Sequence, residues 1–186
     1  MIRMLWLPHD LRHALVEHTL EQRPHEACGI LIGSIEHGLA QVKRVIPVPN
    51  IAENTETTFR IDDRVLVSVI SKLAQSDDML IGFYHSHPKG AAIPSPTDIR
   101  LATYPDALSV IVGLQNPMSP AVAAWSIGAG VVERIEISHD AIRPPPPTPS
   151  PTRSQHFTIL LGTLIAFAVV IATALYLLPP APLPVP

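Results

Sequence analysis

The chain has one cysteine, Cys28, so it can close no internal disulfide and cannot by itself surround a metal with thiolates. A disulfide-stapled scaffold and a cysteine zinc finger are both excluded, and any metal has to be held by histidine and carboxylate. Charge is also scarce: 16% of the residues are charged, the formal net charge is −3, and no cluster of Lys and Arg occurs. Binding a phosphate backbone needs concentrated cationic side chains, so no nucleic-acid partner is indicated. No repeat with a period of about 20–50 residues is visible, which removes solenoids and propellers.

What is abundant is apolar surface, 47% of the residues, unevenly placed. Residues 1–142 mix apolar runs, charges and turn residues as one globular domain of ordinary size does. Residues 143–156, with RPPPPTPSPTRSQ, are rich in Pro, Ser and Thr; such a run favours extended polyproline II and reads as a linker. Residues 157–178, FTILLGTLIAFAVVIATALYLL, carry no charge. As a helix they would be about 33 Å long, enough to span a bilayer, so a single transmembrane helix is expected, with a short Pro-rich tail at 179–186. Arg143 and Arg153 flank the span on its N-terminal side and the tail has no charged side chain, which places the domain in the cytoplasm by the positive-inside rule. The absence of a signal sequence at the N-terminus points the same way, to a tail-anchored protein.

Within the domain, residues 11–22 have helical apolar spacing and 28–32 form a short buried-strand run. A turn at Glu36, His37 and Gly38 leads to a strand at 41–48, and the β-branched stretch 55–61 predicts another. Asp62 and Asp63 open a helix with Val65, Leu66, Val69, Ile70 and Leu73 on one face. A strand at 79–84 ends directly in His85, a short helix starts near Ser95, and strands at 108–114, 121–127 and 131–137 close the domain. This order predicts an α/β (α+β) domain with a mixed β-sheet flanked by helices.

The chemistry concentrates in HSHPKGAAIPSPTD. His85 and His87 are one residue apart at a strand end, so their side chains point the same way, and Pro88 stiffens the departing turn. Asp98, returned by the loop on the first turn of a helix, adds a carboxylate. Three such ligands leave the fourth corner of a tetrahedral Zn²⁺ site for water, the arrangement of a catalytic zinc. Zinc brings the pKa of its water towards about 7, and a nearby carboxylate must then move protons. Each piece also has a structural reading: Ser95, Pro96 and Asp98 make a good helix start, and histidine pairs at strand ends are commonly just hydrogen-bonded. The combination favours the metal.

HSHPKGAAIPSPTD resembles the zinc signature of the JAB1/MPN/Mov34 (JAMM, MPN-plus) metalloproteases, and HEACGILIGS resembles their upstream glutamate segment. The likeness covers about residues 11–137. It implies a JAB1/MPN-like (cytidine-deaminase-like) fold, one Zn²⁺ per chain on His85, His87 and Asp98, Glu26 as general acid/base, and Ser95 as a donor to the oxyanion. Taken alone, Glu26 reads as a solvated acid before a buried strand. The other zinc-protease signature, His-Glu-x-x-His, fails because Gly29 stands at its fifth position. Cys28 opens an apolar run and reads as a buried, inert thiol rather than a nucleophile.

The resemblance implies hydrolysis of amide or isopeptide bonds at the tail of a ubiquitin-like or sulfur-carrier protein or a small peptide conjugate. The compact domain lacks room for the large insertions that grip ubiquitin, which argues against a dedicated polyubiquitin protease. The rival readings are a non-catalytic, membrane-docked module of the same fold and a purely structural zinc site. Intact ligand positions oppose the first, and the lack of a fourth ligand opposes the second.

Overall fold

In the computed structural model, residues 2–128, 131–140, 142–147, 171 and 173 are described. All but the last two of these belong to one compact unit, Met1–Pro147. No helix among the described residues is long and apolar enough to cross a membrane. The expected span at 157–178 lies outside the described residues except for Ile171 and Thr173, as do the linker beyond Pro147 and the tail.

The elements are β1 (Met4–Trp6), α1 (His9–Glu21), β2 (Cys28–Glu36), β3 (Leu39–Val48), α2 (Asp63–Leu73), β4 (Met79–His87), α3 (Pro96–Leu101), β5 (Leu108–Gly113), β6 (Ala121–Gly128) and β7 (Val131–Ser138). The strands form one mixed sheet in the order β1-β3-β2-β4-β5-β6-β7, and the sheet closes because β1 pairs in parallel with both β3 and β7. β2 is antiparallel to β3 and β4, β4 is parallel to β5, and β5, β6 and β7 run as an antiparallel meander. The mixed sheet is as expected. Its closure is not, because the closing strand β1 is only three residues long and carries no alternating pattern.

Central strands buried on both faces are continuous in apolarity, and β2 shows why. Leu31 joins Leu15, Val42, Tyr84, Val110 and Ala124 on the side of α1, whereas Cys28, Ile30 and Ile32 join Leu66 of α2 and Val48 on the other. The turn between β2 and β3 uses His37 and Gly38, both at positive φ (50° and 86°), the backbone that a two-residue hairpin with right-handed strand twist requires. The helix at Asp63 starts where Asp62 accepts a hydrogen bond from the Arg64 amide at 2.8 Å.

The strand expected at 55–61 is not formed. β3 already has β1 and β2 as neighbours, so the closed sheet offers this segment no edge. Its backbone turns instead, with the amides of Thr57 and Thr58 donating to the carbonyl of Asn54. β-branched side chains favour strands only where a pleated surface is available. β4 also differs from expectation, running through both histidines to His87 rather than ending before them.

Leu15 is fully buried and Val67, on the outer side of α2, is 62% exposed. Leu15→Ala should destabilise the fold by about 2–5 kcal/mol and Val67→Ala by no more than about 0.5 kcal/mol, measured as a shift in the urea unfolding midpoint.

Candidate active site

The alternation of β4 sends Tyr84 to the α1 side, where its hydroxyl meets His18 Nδ1 at 3.0 Å, and His85 to the α2 side. There the His85 ring stacks on Phe59, with centroids 4.4 Å apart and planes 18° from parallel. His85 Nε2 and His87 Nε2 lie 3.1 Å apart, and Asp98 brings Oδ1 to 3.4 Å from the first and Oδ2 to 3.3 Å from the second. Donor atoms on a tetrahedral ion with bonds of about 2.0–2.1 Å are separated by roughly 3.3 Å, so the observed spacing fits such an ion.

The proton positions agree with that fit. His87 Nδ1 is 2.9 Å from the carbonyl of Ala91, which can only accept, so the neutral ring carries its proton on Nδ1 and turns a lone pair of Nε2 towards Asp98 and His85. The Ala91 carbonyl is held in turn because Gly113 has no side chain to displace the Ala91 and Ala92 backbone, and because Trp125 Nε1 donates to the carbonyl of Ala92. His85 is fully buried, and its Nδ1 has no hydrogen-bond partner among the described residues. Burial pushes its pKa down, which keeps the imidazole neutral and available as a ligand.

Asp98 is placed for both readings that its sequence position allowed. As the third residue of α3 its carboxylate Oδ2 accepts the Ser95 amide at 2.7 Å, while Ser95 Oγ accepts the Asp98 amide at 3.1 Å, a complete capping box with Pro96 in the first turn. The same cap aims the carboxylate at the two histidines. Burial opposes its charge, but the N–H groups that His85 and His87 offer it when protonated, together with the Ser95 backbone amide, hold it well below the usual carboxylate range. It is therefore an anion at any working pH. Burial lowers His87 as well, but the hydrogen bonds to Asp98 and Ala91 outweigh it and raise the ring overall.

Glu26 stands two residues before β2, 6% exposed. Its pKa is raised to about 7, first by burial and further by Asp98, with His87 acting in the opposite sense. A carboxyl poised there can accept and return a proton near neutrality. It is brought within electrostatic range of His87 and Asp98 because β2 and β4 are paired with Cys28 opposite His85. One residue beyond, the Ser86 amide donates to the Ala27 carbonyl at 3.0 Å and the Ala27 amide donates to Ser86 Oγ at 2.9 Å. Cys28 is buried, 3.6 Å from the Val48 carbonyl, and burial together with Glu26 pushes its thiol up to about 12. It is an inert thiol, as read from the sequence.

Sequence reasoning missed Phe59, Asn50, Ser86 and the Ala91 carbonyl. Only Ser86 had a signal, its slot between two histidines. It also missed a cavity of about 400 Å³ that reaches His85 and Asp98 and is walled by Phe59, Leu66, Phe83, Leu101 and Tyr104.

A closed mixed sheet that presents two histidines from one strand to an aspartate at the next helix start, beside a buried glutamate, defines a metallopeptidase of the JAMM type. A profile of the prokaryotic homologs of the JAB domain matches residues 8–128, and the chain belongs to that family. It is 37% identical over 123 residues to the CysO-cysteine peptidase of Mycobacterium tuberculosis, an overlap of 66% of this chain and 82% of that protein. It is 32% identical over 119 residues to the desampylase of Haloferax volcanii, covering 62% and 84%. Among solved structures, a Desulfitobacterium hafniense protein matches with a TM-score of 0.68 at 28% identity, over 74% of this chain and 93% of the other.

In the native protein Cys28 should resist a thiol reagent such as Ellman's at pH 8 and react fully in denaturant, read as absorbance released per chain. Rapid native labelling would contradict its burial.

Proposed function

We propose that this JAMM peptidase uses one Zn²⁺ per chain to hydrolyse amide or isopeptide bonds at the C-terminal tail of a ubiquitin-like or sulfur-carrier protein or a small peptide conjugate. The observation that carries the reading is the convergence of His85 Nε2, His87 Nε2 and the Asp98 carboxylate within 3.4 Å, beside Glu26. Those three residues would hold the metal, and among the described residues no fourth side chain joins them, the open arrangement that catalysis rather than structure calls for. Bound zinc would supply Lewis acidity, lowering the pKa of a water and polarising the scissile carbonyl.

The chain's own groups supply the rest. Glu26 takes a proton from the attacking water and returns it to the leaving nitrogen as the carbon–nitrogen bond breaks, so one water is consumed and a carboxylate and an amine are released. Ser95 Oγ accepts the Asp98 amide, which leaves its own proton free to donate to the oxyanion. The apolar cavity beside His85 receives a side chain of the substrate tail. The CysO-cysteine peptidase and desampylase among the relatives support a protein conjugate as substrate. The alternative of a non-catalytic docking module is disfavoured by the complete triad and the poised glutamate.

Elemental analysis should find about one zinc per chain, lost in His87→Ala. Glu26→Gln should keep the zinc and lower turnover of a fluorogenic C-terminal amide of CysO by about 10²–10⁴-fold. Retained turnover would remove Glu26 from its role, and absence of zinc from the unaltered protein would favour the docking module.

We propose further, from the sequence alone, that residues 157–178 serve as one transmembrane anchor, with residues 143–156 as the linker and the peptidase domain on the cytoplasmic side. Deleting everything after residue 142 should move the protein from the membrane fraction to the soluble fraction on centrifugation. A truncated protein that still sediments with membranes would rule out this anchor.

A further inference from the structure

Asn50 follows Pro49 at the end of β3, half-buried and distant in sequence from Glu26, His85, His87 and Asp98. A side-chain amide has two donor hydrogens and an oxygen with two lone pairs, and Asn50 uses all four. Nδ2 donates to the Glu26 carbonyl and to the Thr58 carbonyl, each at 2.9 Å. Oδ1 accepts from the amides of Ala52 and Arg60, each at 3.0 Å. Two carbonyls on one side and two amides on the other settle which atom is nitrogen.

The pattern matters because of what those partners carry. Thr58 and Arg60 flank Phe59, the ring that stacks on His85, so Asn50 grips the peptide units on both sides of it. Its other donor holds the backbone of Glu26. A second tie runs the same way, from the Glu26 amide to the Thr55 carbonyl at 2.6 Å. The loop 50–61 has no ladder to fix its shape, because the sheet is closed. We infer that Asn50 is a positioning residue for the reaction: one amide sets Glu26 relative to the Phe59–His85 stack, and hence relative to the metal triad. The triad itself is held by β4 and the α3 cap, which Asn50 does not touch.

The inference rests on the proposed role of Glu26, and its test separates the two. Asn50→Asp keeps the shape and the acceptor but turns an oxygen towards two carbonyls; Asn50→Ala removes all four bonds. In the full-length protein both should retain about one zinc per chain and KM within about twofold for a fluorogenic C-terminal amide of CysO. kcat should fall by about 10–100-fold, the scale of a misplaced catalytic group. In a Glu26→Gln background neither substitution should lower kcat further, since the group being placed is already gone, whereas a general structural defect would add its own loss. Unchanged kcat in the single variants, additive losses in the doubles, or loss of zinc or of the folded state by both variants would overturn the inference. Turnover that survives Glu26→Gln alone would instead overturn the role of Glu26.

Discussion

Aiming two imidazole lone pairs and a carboxylate at one point costs free energy unless a cation or shared proton lies between them, and the rest of this structure is organised to hold that unfavourable convergence in place. The closed sheet gives β4 neighbours on both sides, so the strand that carries His85 and His87 cannot shift register without breaking its pairing with β2 and β5. Asp98 is fixed by the start of its own helix. Each candidate ligand is thereby held by backbone structure, which leaves the side chains little freedom to relax away from one another.

The elements around this centre divide the remaining work. Between β4 and α3 the loop is pinned from outside, by the missing side chain of Gly113 and by the indole of Trp125, and it presents the Ala91 carbonyl that orients His87. On the opposite flank, loop 50–61 contributes Phe59 against His85 and the Thr55 carbonyl against the amide of Glu26. Burial raises the pKa of Glu26 to about 7 while Asp98 stays ionised: the first has burial with no hydrogen-bond donor to its carboxylate among the described residues, and the second has burial offset by two histidines and an amide.

The candidate site was legible in sequence to the extent that it is local. His85, His87, Ser95 and Asp98 fall within one strand, loop and helix start, where strand alternation and the capping box dictate direction without reference to the rest of the chain. The helix-cap and metal readings of Asp98 looked like competitors in the sequence, yet the cap is the device that aims the carboxylate. Glu26 was visible only through the likeness of HEACGILIGS to a known family, because its approach to His85 depends on pairing between strands about 59 residues apart, as Ala27 and Ser86 are. Phe59 was misplaced in an expected strand for the same reason: propensity knows nothing of whether an edge is free.

By itself the sequence determined the candidate ligand set, the β2–β3 turn at His37 and Gly38, the positions of the helices, and most strands, since each follows from backbone periodicity, capping or spacing within a few residues, and its family likeness gave the type of chemistry. Closure of the sheet through β1, burial of Glu26, the aromatic cover over His85 and the fourfold satisfaction of Asn50 were decided only by tertiary structure. Their partners are distant in the chain, and a contact of that kind exists only once register and packing have brought the two backbones together.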